Sequence, residues 1–182
     1  GNAFLGIDAG STTTKTALVS DKGELLWSFY ASNEGNPLKV VTKALNELYS
    51  LMPKDVKIKN SCVTGYGEGL IKQALMGDLG YIETVAHYKA ASFFKPDVDF
   101  ILDIGGQDMK CIRIKDGVID SVLLNEACSS GCGSFLENFA SSLNIPAPKI
   151  AEAAFNSKNP AVLGSRCTVF MNSSIVTEQR NG

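Results

Sequence analysis

Two cysteines stand where this chain could carry out metal or redox chemistry. Cys128 lies in the small-residue segment 125–134, which leads into a stretch of helical apolar spacing, and Cys167 lies in the polar segment 165–168. The first amides of a helix have no partner within the helix and carry a positive partial charge. A thiol held there ionises more easily, and the thiolate is the form that binds metals or reacts. Cys128 is therefore a candidate for metal or redox chemistry, and Cys167 is a further thiol in a second polar loop.

The other cysteines favour different interpretations. The chain has five cysteines in all and no basic and apolar leader at its N-terminus. An odd number without a secretory signal predicts a reducing, cytoplasmic compartment rather than a disulfide framework. Cys62 and Cys111 lie in apolar, strand-like runs and are expected to pack as small hydrophobes. Cys132 follows Cys128 at a spacing that also fits a zinc site, although a small packing position or a spare thiol is the favoured interpretation.

A second chemical pattern lies near the N-terminus, in segment 6–15. Asp8 ends an apolar run, and a glycine turn with hydroxyl side chains and Lys15 follows it. Such a hairpin can aim amides and hydroxyls at phosphate oxygens, and Asp8 is suited to bind Mg²⁺ through water. The alternative is a plain hairpin whose threonines favour strands. The predicted phosphate-binding residues are Gly10, Ser11, Thr12, Thr13 and Lys15.

The same pattern, an aspartate followed by a glycine turn, recurs in segment 103–108. Asp103 ends another apolar run, and Gly105 and Gly106 follow it. Asp103 is predicted to bind Mg²⁺ through water or to polarise water, and Gln107 to orient an attacking water. The alternative is that the polar residues only close a turn. Two such loops together favour nucleotide binding, with Asp8, Asp103 and Gln107 as the candidate catalytic residues.

These loops fall within a duplicated order of elements. Strand, Asp-Gly loop, strand, turn, strand and helix occur from Phe4 and again from Phe100. Duplication of this kind indicates an α/β fold of two similar lobes, which we place at 1–96 and 97–182. The second lobe looks incomplete, because it ends in a polar tail before further strands. Helices are predicted over 37–51, where apolar residues follow helical spacing, and over 68–76, 82–94, 133–143 and 149–155.

Composition narrows the class of function. The 182 residues are 45% apolar and carry a net charge of −2 with the two signs interspersed. This argues against a nucleic-acid-binding surface, which would show a basic patch. No apolar run approaches the length of a membrane-spanning helix. We therefore expect neither a nucleic-acid nor a membrane partner.

Taken together, these motifs resemble those of a known family. The chain is similar to the ATPase activators of 2-hydroxyacyl-CoA dehydratases and to the related ATPase subunits of benzoyl-CoA reductase. The phosphate motifs alone are typical of the wider superfamily of actin, sugar kinases and heat-shock chaperone ATPases, whereas the cysteine motifs are typical of the activators. The matching segments are 6–15, 64–67, 103–108, 125–137 and 167–170.

The resemblance implies an actin-like, ribonuclease H-type fold that binds ATP and Mg²⁺ between two duplicated lobes. It also implies a homodimer in which Cys128 and Cys167 of both subunits hold one [4Fe–4S] cluster, since such a cluster needs four thiolates. The implied partners are a dehydratase-type enzyme, which receives one low-potential electron, and a donor such as ferredoxin or flavodoxin.

Two departures from the family pattern qualify these expectations. Cys132 stands where the activators usually have a non-thiol residue, and a glycine-rich adenosine-binding segment is absent. The chain is therefore expected to be an N-terminal fragment that binds ATP weakly or not at all by itself. Two other functions stay open: a small-molecule kinase of the amino-sugar type, and a non-catalytic nucleotide-sensing or interaction module.

Overall fold

The chain forms two compact units, each with its own sheet. A computed structural model describes residues 1–125, 132–164 and 168–181. The first unit comprises Gly1–Val98 and the second Asp99–Gly182.

The first unit is a five-stranded mixed sheet with three helices. The strand order is β3-β2-β1-β4-β5. β1 runs antiparallel to β2 and parallel to β4, and β2 runs antiparallel to β3. The elements are β1 (Asn2–Ala9), β2 (Thr13–Ser20), β3 (Leu25–Ser32), α1 (Pro37–Leu51), β4 (Lys57–Thr64), α2 (Glu68–Leu75), β5 (Leu79–Gly80) and α3 (Glu83–Phe94).

The second unit repeats the first three strands. Its sheet has the order β6-β7-β8, and both pairs of neighbours are antiparallel. The elements are β6 (Phe100–Ile104), β7 (Met109–Lys115), β8 (Val118–Asn125), α4 (Cys132–Ser142), α5 (Ala147–Phe155) and α6 (Thr168–Asn181).

Two elements of the structure were not predicted from the sequence. The expected polar tail is helix α6, and the two-residue strand β5 was not predicted. α6 is rich in Thr, Asn and Ser and shows no apolar stripe along its sequence, so the periodicity that predicts helices was missing. The five helices predicted from the sequence are present, with ends within a few residues of those expected.

The core of the first unit lies on one face of β1. Alternate β1 side chains, Ala3, Leu5, Ile7 and Ala9, are all buried. This period of two is what a strand with one covered face requires. α1 covers this core with side chains at helical spacing, and β4 and α2 complete it. The further core residues are Leu18, Val41, Leu48, Val63 and Ile71.

Local sequence sets both ends of α1. The Asn36 side chain accepts a hydrogen bond from the Lys39 amide at 3.0 Å, and Pro37 occupies the first helical position. Asparagine is a preferred N-cap, and proline there loses no helical hydrogen bond. The helix ends just before Pro53. None of the described helices is long and apolar enough to cross a membrane.

Truncation of Leu48 should destabilise the first unit much more than truncation of Leu51. Leu48 is 2% exposed and Leu51 64% exposed on the same helix. Leu48→Ala is expected to lower the free energy of unfolding by about 2–5 kcal/mol, because it leaves a cavity. The matched change Leu51→Ala should cost less than about 0.5 kcal/mol. Denaturant unfolding followed by circular dichroism measures both, and equal losses would contradict the assigned core.

Candidate functional site

The β1–β2 loop brings a carboxylate and an ammonium group together. The Gly10 amide donates to the Thr13 carbonyl at 3.0 Å and closes the turn. The resulting antiparallel register places Asp8 opposite Lys15. The Lys15 Nζ lies 3.1 Å from the Asp8 Oδ2, and both side chains are partly exposed. The predicted residues Asp8, Gly10 and Lys15 therefore lie in one hairpin.

The second carboxylate oxygen of Asp8 has no protein partner in the described part of the chain. Asp8 Oδ1 is buried and accepts no hydrogen bond there. A buried carboxylate oxygen is costly unless it is paired or hydrogen-bonded. An oxygen in this state suits a water held by Mg²⁺, which keeps several of its waters when bound to proteins. The residues at this loop thus fit the magnesium ion that the sequence predicts.

A neighbouring loop packs directly against this hairpin. Gly65 has φ +89°, and a Cβ there would lie 2.6 Å from both Asp8 Oδ1 and the Ala9 carbonyl oxygen. The Gly67 amide donates to the same Ala9 carbonyl at 2.8 Å. Only glycine permits both the left-handed backbone and this close approach. The segment 64–67 therefore supports the Asp8 loop from β4.

The tip of the first loop presents amides that can bind an anion. The amides of Ser11 and Thr12 have no hydrogen-bond acceptor among the described residues. Successive amides of this kind at a turn form a concavity suited to phosphate oxygens. The side chains of Ser11, Thr12 and Thr13 belong to the same loop and remain predicted ligands.

The β6–β7 loop has the same backbone pattern. The Gly105 amide donates to the Asp108 carbonyl at 2.9 Å, and Asp103 is the register partner of Lys110. Here, however, the lysine Nζ lies 3.0 Å from Asp108 Oδ2 in the loop. Gln107 is exposed in the same loop. The two hairpins therefore share their backbone geometry, and the lysine of the second pairs with a carboxylate within the loop itself.

Helix α4 begins against the second loop. The Gly133 amide donates to the Gly105 carbonyl and the Ser134 amide to the Gly106 carbonyl, both at 3.0 Å. A Cβ at Gly133 would lie 2.8 Å from the Gly105 oxygen, so glycine permits the contact. These bonds satisfy two of the first-turn amides of α4. The loop thus sets where the helix starts.

The two cysteines predicted to bind a cluster, Cys128 and Cys167, lie outside the described residues. Cys132 is the first residue of α4 and is half-buried. Cys62 and Cys111 are half-buried in strands β4 and β7. Burial, followed by the nearby Glu68 carboxylate, raises the pKa of the Cys62 thiol. A raised pKa disfavours the thiolate, so Cys62 suits packing better than chemistry.

Two residues at these loops were missed from the sequence. Asn33 is 4% exposed, and its side-chain amide donates to the Gly10 carbonyl at 2.6 Å. Lys110 is 8% exposed and holds the second loop through Asp108. Lys110 could have been found, because it stands in the second repeat where Lys15 stands in the first. Asn33 gave no such signal, since it lies far from the loop along the chain.

Comparisons with known proteins agree with the motifs. The (R)-2-hydroxyglutaryl-CoA dehydratase activating ATPase of Acidaminococcus fermentans is 30% identical over 181 residues, which are 98% of this chain and 68% of that protein. The activator of lactoyl-CoA dehydratase of Anaerotignum propionicum is 32% identical over 182 residues, again 98% of this chain and 68% of that protein. The chain therefore spans about two thirds of the length of these relatives.

Solved structures confirm the predicted fold class. The activator of the 2-hydroxyisocaproyl-CoA dehydratase from Clostridium difficile, with bound ADPNP, matches with a TM-score of 0.81 and 27% identity, covering 98% of this chain and 66% of that one. A ROK family glucokinase from Streptomyces griseus matches with a TM-score of 0.53 and 12% identity, over 85% of this chain and 72% of that one. That second likeness shows the actin-like fold alone and carries no argument for kinase activity.

The family model extends over both units. The BadF/BadG/BcrA/BcrD ATPase family model matches residues 5–182, which include both glycine loops and all five cysteines. The resemblance drawn from the sequence motifs is thereby confirmed, and this chain belongs to the BadF/BadG/BcrA/BcrD ATPase family.

Proposed function

We propose that the chain is part of an ATP-dependent activator of a 2-hydroxyacyl-CoA dehydratase-type enzyme. The activator hydrolyses ATP with Mg²⁺ and passes one low-potential electron from a [4Fe–4S] cluster to that partner. The observation that carries the proposal is the pair of glycine hairpins, each with a strand-end aspartate, in a member of this ATPase family. The relatives named as dehydratase activators support the choice of partner.

The proposed binding of MgATP rests on the placement of charged side chains and backbone amides. Asp8 has one oxygen against Lys15 and one buried oxygen with no hydrogen-bond donor in the described part of the chain, which suits a magnesium-bound water. The first loop offers the Ser11 and Thr12 amides to phosphate oxygens. In the second unit, Asp103 is the further carboxylate, and Gln107 is the residue proposed to orient the attacking water.

The proposed [4Fe–4S] site rests on the chemistry of the cysteine thiols. One chain supplies Cys128 and Cys167, and a two-fold axis doubles them to the four thiolates that a [4Fe–4S] cluster needs. A homodimer is therefore part of the proposal, and a ferredoxin or flavodoxin is the proposed electron donor. Reducing equivalents of low potential are what the cluster would supply to the dehydratase.

Backbone hydrogen bonds support coupling between the proposed nucleotide site and the proposed cluster site. Helix α4 begins four residues after Cys128, and its Gly133 and Ser134 amides are bound to the Gly105 and Gly106 carbonyls. A nucleotide that repositions the second loop must therefore move or strain the start of α4. We infer that this contact carries the effect of ATP toward the cysteine segment.

Replacement of Asp8 should reduce ATP hydrolysis without unfolding the protein. Asp8→Asn in the full-length protein is expected to lower kcat/KM for MgATP by about a hundredfold, because the amide carries no charge for Mg²⁺ or its waters. Asp21→Asn makes the same chemical change at an exposed turn of the first unit and should leave the rate unaltered. A coupled phosphate-release assay measures both. An Asp8→Asn variant with wild-type kcat/KM would exclude the assigned role.

Removal of the two candidate ligands should abolish the cluster. The double variant Cys128→Ala and Cys167→Ala of the full-length protein is expected to bind almost no iron or sulfide after anaerobic reconstitution. Each subunit loses its two ligands, so the homodimer loses all four thiolates. Cys132→Ala, four residues from Cys128, is the matched control and should retain the cluster. Iron and sulfide analysis with visible absorption spectra measures occupancy. Retention in the double variant, or loss only with Cys132→Ala, would require another ligand set.

A further inference from the structure

Asn33 binds the β1–β2 loop, the first glycine loop, through hydrogen bonds to Gly10 and Thr12. It lies directly after β3 and is 4% exposed. Its backbone amide donates to the Thr12 carbonyl at 2.9 Å, and its side-chain Nδ2 donates to the Gly10 carbonyl at 2.6 Å. Its Oδ1 accepts from the Thr14 hydroxyl at 2.6 Å. One buried residue thus binds three positions of the loop and of β2.

The chemistry of these contacts requires a carboxamide. The side chain must donate on one side, to a carbonyl, and accept on the other, from a hydroxyl. An aspartate of the same shape only accepts when ionised, so it would place a negative oxygen against the Gly10 carbonyl. A buried group left without its partner is costly. The position is therefore sensitive to the exchange of a single NH₂ for oxygen.

The contact also determines where the loop amides point. The peptide group joining Gly10 to Ser11 is planar and trans, so its carbonyl and its N–H point in opposite directions. Because Asn33 Nδ2 binds the Gly10 carbonyl, the Ser11 N–H is directed away from Asn33. We propose that Asn33 is a positioning residue that holds the Ser11 amide toward the phosphates of the bound nucleotide. This inference rests on the proposed ATP-dependent function.

The anchor extends into the core of the first unit. The Asn36 amide donates to the Asn33 carbonyl at 2.8 Å, and Asn36 caps α1 through the Lys39 amide. Between them, Glu34 and Gly35 both have positive φ, 48° and 77°, which makes this a tight, specific turn. The loop is thereby connected to a helix whose inner face is buried. Its amides are held in place before a ligand arrives, which lowers the cost of binding.

A kinetic comparison of Asn33→Asp with wild type tests the inference in the full-length protein. Asn33→Asp is expected to raise KM for MgATP by about tenfold or more while kcat per folded molecule stays within about twofold. A merely structural role would give the opposite split, because a loss of folded protein lowers the apparent kcat and leaves KM unchanged. Circular dichroism melting establishes the folded fraction of each variant.

Asn36→Asp is the matched control. It makes the same atomic change three residues away, at an exposed cap whose oxygen only accepts a hydrogen bond, and its KM should equal that of wild type. If Asn33→Asp does not fold, Thr14→Val replaces it. That change removes the hydroxyl donor to Asn33 Oδ1 and should raise KM by about threefold or more.

The outcomes separate this inference from the function on which it rests. A wild-type protein without MgATP hydrolysis would overturn the proposed function and the inference together. An active wild type with unchanged KM in folded Asn33→Asp, or in Thr14→Val where that variant is needed, would overturn the role of Asn33 alone. A KM increase in Asn36→Asp equal to that in Asn33→Asp would also overturn it, because the effect would then belong to the turn as a whole.

Discussion

The structure depends on the register between two antiparallel strands, which occurs once in each unit. Residues directly opposite each other in such a pair point to the same face. A tight loop closed by a glycine amide therefore places the aspartate at the end of one strand opposite a lysine on the next: Asp8 with Lys15, and Asp103 with Lys110. A slip of one residue in either strand would turn its side chain to the other face and separate the charges.

The two units use this common backbone for different ion pairs. In the first, the lysine binds the strand-end carboxylate, Asp8, and leaves one carboxylate oxygen without a hydrogen-bond donor in the described part of the chain. In the second, the lysine binds Asp108 within the loop. The loops are thus equivalent in geometry but not in chemistry. The position whose carbonyl closes the turn is Thr13 in the first repeat and Asp108 in the second, so only the second turn carries a carboxylate at that position.

Backbone contacts at glycines connect these loops to the rest of each unit. Gly65 lets the β4–α2 segment contact Asp8, and Gly133 lets α4 begin on the Gly105 carbonyl. A methyl group at either position would overlap an oxygen, so these contacts tolerate no other residue without movement. The second contact joins the β6–β7 loop to helix α4, which follows Cys128 along the chain. Movement in the loop and movement in the helix cannot be independent while both hydrogen bonds persist.

The sequence by itself determined every described strand but β5, most helices and the two loops, because each depends on local signals. A short apolar run predicts β1, helical spacing predicts α1, and an aspartate followed by glycine predicts the loops with Asp8, Lys15 and Gly105. Only the tertiary structure decided the partners of these residues. Helix α6 shows no apolar stripe in the sequence, and the partners of Asn33 come from a loop that precedes it by a whole hairpin. Contacts between segments distant along the chain leave no periodic trace in the sequence, so packing alone revealed that the buried Asn33 is bound to the first loop.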